Sequence, residues 1–515
     1  MIRTSGFLAC LTLVLGAAAA GCGSDCADTD SCGTYSGPDA STGGTSGDSG
    51  IGGASGASGS SGASGTGGAG GSGGDAATCD TTKSPSEESC LVTDTHAIFV
   101  SPTGSDSADG SKNTPVQSWE KALELGKAAS KFVIACNDDF TTPVALTSAH
   151  SGTKLYGGFK CSDWTRDSAK KTRLAPSSEA IALSLDGVVG FHAEDVIVEA
   201  KDATTAGASS ISVFANGSSN ITLKRIDVIA GKGAAGANGV VTSFTKFPTQ
   251  AELNGKPASG GTGGASNPCG CPGGKTTTGG PGGSAGPQGG GKGQPDFGGG
   301  AGGISASPDC AVGNGLGKSG APAPATPSAP GATTLGTLTA TGWTPSNGMD
   351  GAVGSPGQGG GGGASTASSG GGGGGCGGCG GAGGPGGKGG GSSIALLLFD
   401  TPLSLDATVT LTTKDAGKGG NGAAGQAAQP EVGFNGVGAP GAPPACNGGA
   451  GGLGAAGGAG GGAAGGVSAG ILWKGTSTPI VDGSTTITFG AKGAKGTGGK
   501  SNDGIEGVAQ DVLGV

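Results

Sequence analysis

Aromatic side chains are scarce in this chain: four Trp, two Tyr and 13 Phe among 515 residues. Glycine alone supplies 123 positions, so material for a side-chain core is thin and the length overstates the folded mass. Histidine is nearly missing, and His96, His150 and His192 have no catalytic motif around them. No Ser/His/Asp or Cys/His constellation can be assembled from them. Cations are also few, 28 Lys and Arg against 37 Asp and Glu, and they are scattered rather than clustered. A net charge of −9 without basic clusters argues against a nucleic-acid surface or a polybasic membrane patch, and no nucleic-acid partner is expected.

Phosphate and metal motifs are missing as well. Gly274-Lys275-Thr276 and Gly317-Lys318-Ser319 carry the end of a P-loop, but Cys269 and Val312 stand where its first Gly is required. No glycine-rich nonapeptide with a periodic calcium-binding Asp occurs between Lys256 and Ser392. Asp106 and Asp109 share a polar loop that reads as a solvated turn, with a structural calcium as the alternative. The adjacent acids Asp138 and Asp139 read as a polar turn, and Lys224-Arg225 reads as a solvated pair without nearby carboxylates. Neither a cofactor nor a metal site is expected. Among the tryptophans, Trp119 and Trp473 are expected in the core and Trp343 on the surface.

What the chain does have begins with one apolar run, Phe7 to Ala20, after an early Arg3. This is a secretory signal in form, over residues 1–21, and is too short for a good membrane span. Its end, Ala19-Ala20-Gly21-Cys22, resembles the lipobox of bacterial lipoproteins, with Ala19 where the family prefers Leu. The resemblance implies that Cys22 carries a lipid. Gly23 and Ser24 leave out the inner-membrane retention Asp, so it further implies an outer-membrane anchor and display at the cell surface.

Cysteine usage fits export, since twelve of the 14 remain once Cys10 and Cys22 are set aside. Proximity suggests the disulfides Cys26 with Cys32, Cys79 with Cys90, and Cys136 with Cys161. Cys269, Cys271, Cys310, Cys376, Cys379 and Cys446 cannot be paired from sequence, and four of them, Cys269, Cys271, Cys376 and Cys379, offer a zinc tetrathiolate as an alternative.

Residues 22–94 are rich in Gly and Ser and read as a flexible tether. Order is expected from 95 to 230, with strands at Ile98–Ser101, Phe132–Cys136, Lys154–Phe159, Ala180–Leu185, Val196–Ala200, Ser210–Ala215 and Ile221–Ala230, and a helix over Ser118–Ala129. Val100-Ser101-Pro102, Gly104, Asp106, Gly110-Ser111, Pro115, Ser118-Trp119 and Ala122-Leu123 resemble the entry coil of pectin-lyase-like right-handed parallel β-helix proteins. That resemblance implies an N-terminal cap closed by the helix.

An internal repeat follows. The segment opening at Ser210 recurs at Ser393 and at Ser468, each time as an apolar strand, a second strand and a Lys-Gly exit. Such copies must stack to bury their faces. Between them lie glycine-rich insertions at 231–392 and 417–467, flanking coils at 393–416 and 468–515. Clusters such as Gly380–Gly391 look like the repeats of PE-PGRS-type surface proteins. Composition favours irregular loops there, because glycine loses the most entropy on ordering, with packed polyglycine helices as the alternative.

The expected fold is therefore all-β, a short right-handed parallel β-helix with a cap helix and glycine-rich interruptions. The expected role is a non-catalytic envelope lipoprotein that adheres to matrix or extracellular polysaccharide. The alternatives are a carbohydrate-active lyase or hydrolase and a glycan- or calcium-binding module. If the lipobox reading is right, Cys22→Ser shifts the protein from the membrane fraction to the soluble fraction on cell fractionation; retention in the membrane refutes it.

Overall fold

Short apolar runs bounded by Gly, Asn, Asp and Ser form the strands. The structure is a computed structural model that describes residues 79–305, 309–310, 313–441 and 443–515. Residues 1–78 lie outside the described residues, and with them Cys22, Cys26, Cys32, the signal and most of the tether.

The described part is all-β apart from helices α1, Trp119–Ala129, and α2, Gln250–Leu253, and a few 3-10 turns. Most strands belong to three parallel sheets, one of five strands and two of six. The chain visits them in rotation. Lys154–Phe159 lies in the five-stranded sheet, Thr172–Leu174 in one six-stranded sheet and Leu183–Asp186 in the other; His192–Glu194, Val196–Glu199 and Ser210–Asn216 repeat the cycle.

β-Branched and leucine side chains from all three sheets meet in one core that includes Leu146, Leu155, Leu185, Ala193, Val198 and Leu223. α1 closes one end of it. Ser118 caps the helix by accepting from the Lys121 N–H at 3.3 Å, and Trp119, Ala122, Leu123 and Gly126 are its buried face. Trp119 meets Phe140 edge-on, 5.5 Å between ring centres.

The expected strand Ile221–Ala230 is two strands, Thr222–Lys224 and Asp227–Ile229, in different sheets. Arg225 takes the left-handed conformation, φ 53°, and turns the chain between them; Asp195, φ 57°, does the same one cycle earlier.

The repeated serines have a structural reason. Ser210, Ser393 and Ser468 pair in register at the start of the three long strands Ser210–Asn216, Ser393–Phe399 and Ser468–Lys474. Each hydroxyl also accepts the N–H that begins the exit of its own copy: Gly231 at 2.8 Å, Lys414 at 2.9 Å and Gly490 at 3.1 Å. One hydroxyl thus fixes where each copy leaves the sheets.

The glycine-rich insertions are ordered, contrary to the compositional expectation of irregular loops. Gly348, Gly351 and Gly354 donate to Gly387, Gly384 and Gly381 at 2.8–2.9 Å, and the ladder continues to Gly363 and Gly372. Gly378, Gly384 and Gly387 donate in turn to Gly452, Gly458 and Gly461 at 2.9–3.0 Å, while those three donate to Gln358, Ala352 and Met349 at 2.8–2.9 Å. A repeat of three residues is that of the polyproline II helix, which has no hydrogen bonds of its own. Pairing across segments satisfies the backbone and offsets the ordering entropy of glycine.

The approach is too close for side chains: a Cβ built on Gly451 would run into the carbonyl of Cys376. Three disulfides, Cys269–Cys376, Cys271–Cys379 and Cys310–Cys446, tie the part of the bundle farthest along the chain from the sheets. Cys376 precedes Ser392 by 16 residues, or about 50 Å at about 3.1 Å per residue. Next to the sheets, the hairpin of Gly336–Thr339 and Gly342–Pro345 lays Leu338 and Trp343 on Ile394, Leu397 and Leu472. Trp343, expected at the surface, is buried, and its Nε1 donates to Ser392 Oγ at 3.0 Å.

Gly451→Ala is expected to destabilise the protein by about 1–3 kcal/mol or more, since backbone on a neighbouring segment must move. Gly483→Ala, where a Cβ meets open space, is expected to change stability by less than about 0.5 kcal/mol. Denaturant unfolding of the two variants measures the difference.

Candidate functional site

Among the described residues, several ionisable groups meet at the corner made by Asp195 and Arg225. Arg225 Nε donates to Asp195 Oδ1 at 2.7 Å and its Nη2 to Glu194 Oε2 at 2.5 Å. His192 Nε2 lies 2.8 Å from Glu194 Oε1, and Arg166 pairs with Asp195 at 3.0 Å. The Glu194 side chain is only 3% exposed. Burial pushes its carboxyl up, but the hydrogen bond from His192 and the Arg225 guanidinium outweigh that and hold it at about 2. Burial, with help from the Glu194 charge, drives the Tyr156 phenol well above its usual range.

Lys224 and Arg225 are therefore paired, not solvated. They also reach Glu87 at 3.3 Å and Ser86 at 3.1 Å, which fastens the Cys79–Cys90 segment onto the five-stranded sheet. The charges are spent on one another, and the cluster reads as a clasp.

Other acids are occupied locally. Asp139 pairs with Arg173 at 2.9 Å, and Arg173 with Glu199 at 2.8 Å. Asp106 accepts from the N–H groups of Gln117 and Ser118 at 2.9 and 2.8 Å, and Asp109 accepts from Ser111 N–H at 3.1 Å and the Thr114 hydroxyl. These are turn contacts. Among the described residues no group of three or more His, Cys, Asp or Glu is placed to hold a metal.

Cys136 is bonded to Cys161, joining the strand Phe132–Cys136 to the turn after Lys154–Phe159. Cys269, Cys271, Cys376 and Cys379 form two disulfides, which replaces the zinc alternative.

Those two disulfides support a groove of about 750 Å³ on the far part of the bundle. Phe247, Pro248, Pro268 and Pro272 give it an apolar lining, and Lys246, Lys256 and Glu252 its charge. Thr249 and Glu252 cap α2 reciprocally, with Glu252 Oε2 accepting from Thr249 N–H at 2.7 Å, and this holds the Glu252 carboxyl below its usual range. Asn267 Nδ2 donates to the carbonyls of Glu252 at 2.8 Å and Asn254 at 3.0 Å, locking α2 against the hairpin Asn267–Gly270/Thr276–Gly279.

Both lysines are exposed, and neither ammonium has an ion pair among the described residues. An open, rigid groove with two available cations and proline and aromatic faces suits an extended anionic ligand. It has no activated nucleophile and no paired acid and base. Sequence reading placed all of these residues inside an insertion. The signals available were the Thr249-x-x-Glu252 capping box and the Cys269-x-Cys271 pair.

The pH dependence of the clasp has a definite sign. The folded Glu194 carboxyl sits at about 2 against 4.5 for the free group, so its contribution is complete above pH 4.5 and is lost as pH falls towards 2. Thermal unfolding from pH 6 down to pH 2 is expected to show a steeper loss of Tm for the natural chain than for Glu194→Gln, which starts lower and changes less. Equal slopes would remove Glu194 from the account. Comparisons with protein families, curated proteins and solved structures return no match to this chain.

Proposed function

We propose that this protein is a lipid-anchored component of the bacterial outer membrane, displayed at the cell surface, that adheres to anionic extracellular polysaccharide or matrix without catalysing a reaction. The three parallel sheets act as a right-handed parallel β-helix of the pectin-lyase-like class, and the glycine segments as a rigid arm of polyproline II-type helices. The observation that carries the reading is the cationic groove of Lys246, Phe247 and Lys256, clamped by Cys269–Cys376 and Cys271–Cys379 on the far part of the arm.

Ordering a binding surface beforehand lowers the entropy lost on association. Backbone ladders and disulfides provide that order here, and flanking prolines and Phe247 offer faces for sugar rings between the charges. Retention of the full chain on immobilised polysaccharides tests the reading. Acidic polymers are expected to retain it and neutral ones to retain it less, with no shortening of either. Replacing Lys246 and Lys256 by Glu is expected to cut retention at least tenfold. Product formation would favour a lyase or hydrolase, and retention on no polymer or matrix would overturn the adhesive role.

A further inference from the structure

The fold gathers four basic side chains that the sequence scatters. In the five-stranded sheet, the strands Ala97–Val100, Phe132–Cys136 and Lys154–Phe159 are parallel neighbours, with Ala97 beside Phe132 and Val133 beside Leu155. Their starts therefore lie side by side, about 5 Å apart, which brings His96, Lys131 and Lys154 to one end of the sheet. The chain enters the second of these strands from α1. Ser130, φ 55°, ends that helix in the left-handed conformation, and the Lys131 N–H donates back to the Gly126 carbonyl at 2.7 Å. Lys127, in the last turn of α1, is carried to the same place.

These four residues line one pocket of about 400 Å³, and no Asp or Glu lines it among the described residues. Lys127 and Lys154 are exposed and Lys131 is half-buried, and none of the three ammoniums has an ion pair among the described residues. Lys131 donates to the backbone carbonyl of Asp94, whose carboxylate accepts instead from the Lys112 N–H at 2.8 Å. Lysines elsewhere on the sheets are paired: Lys171 with Asp227 at 2.8 Å, Lys224 with Glu87 at 3.3 Å and Lys414 with Asp202 at 3.0 Å. A helix favours a cation in its last turn, which accounts for Lys127. Lys131 and Lys154 stand at strand starts, where the backbone dipole is small and gives no such reason.

We infer that this pocket binds the phosphate group of a phosphorylated sugar, at a site separate from the disulfide-supported groove of Lys246 and Lys256. Walls carrying charge of one sign concentrate ions of the other, and here the sign is opposite to the net charge of −9. Lysine meets a phosphate as a point charge from any side, whereas a planar carboxylate is best matched by the fork of an arginine. No Arg lines the pocket. The volume falls within the range of small-molecule sites, about 300–1,000 Å³, and leaves room for a sugar ring beside the phosphate. Phe132 offers that ring an aromatic face, and Thr81, Thr95 and Ser130 offer its oxygens hydroxyl partners. Thr81 belongs to the segment closed by Cys79–Cys90 and held by Lys224 and Glu87, so the clasp also fixes one wall of this pocket.

Calorimetric titration of the full chain with a hexose 6-phosphate is expected to show one saturable site, and the unphosphorylated hexose none. Replacing Lys127 and Lys154 together by Gln should weaken binding at least tenfold at unchanged Tm, whereas replacing Lys246 and Lys256 by Glu should leave it as it was. Lysine acylation followed by mass spectrometry reads the same site in the natural chain. Saturating hexose 6-phosphate should slow the labelling of Lys127 and Lys154 several-fold and leave Lys121 and Lys414 unaffected. Absence of that protection overturns the proposal, and so does binding that is lost with Lys246 and Lys256 instead. Equal affinity for inorganic phosphate overturns the assignment of a sugar. Retention on acidic polymers depends on the other pair of lysines, so the adhesive role and this site fail separately.

Discussion

The glycine-rich half of this molecule depends on one interaction, a backbone N–H meeting a carbonyl on a neighbouring segment at every third residue. An extended helix of this type has no internal hydrogen bonds, so a single segment has nothing to hold it. Three segments close a cycle: residues 348–363 donate to 372–387, these to 446–461, and these back to 349–361. Glycine permits that cycle because its neighbours sit where a Cβ would have to be.

The sheets and the bundle share one register. Gly372, Gly378, Gly387 and Gly390 donate to carbonyls 74 residues later, and so does Ser393, the first residue of its strand. The offset therefore passes from bundle to sheet without a break. The serine hydroxyls at 210, 393 and 468 stand at this boundary and bind each strand start to its own exit. An insertion into the bundle that shifted the offset would also misalign the strands, which is why the two parts form one unit.

Stability and binding draw on different chemistry in different places. The buried charges at Glu194, Asp195 and Arg225 are spent on holding the Cys79–Cys90 segment. The groove cations, Lys246 and Lys256, stand on a surface stiffened by disulfides and backbone ladders, where the side chains are free of structural work.

By itself the sequence determined the elements whose side chains carry a pattern: the helix behind Ser118, the strands Phe132–Cys136 and Lys154–Phe159, and the alignment of Ser210 with Ser393 and Ser468. It also suggested Cys79 with Cys90 and Cys136 with Cys161, where the partners are close along the chain. Tertiary structure decided the order of the glycine segments, the buried setting of Trp343, the pairing of Arg225 with Glu194 and Asp195, and disulfides spanning more than a hundred residues. Glycine has no side chain whose periodicity can be read as a core face, and each of its hydrogen bonds is completed by a segment distant in sequence. Only the packed molecule brings the two together.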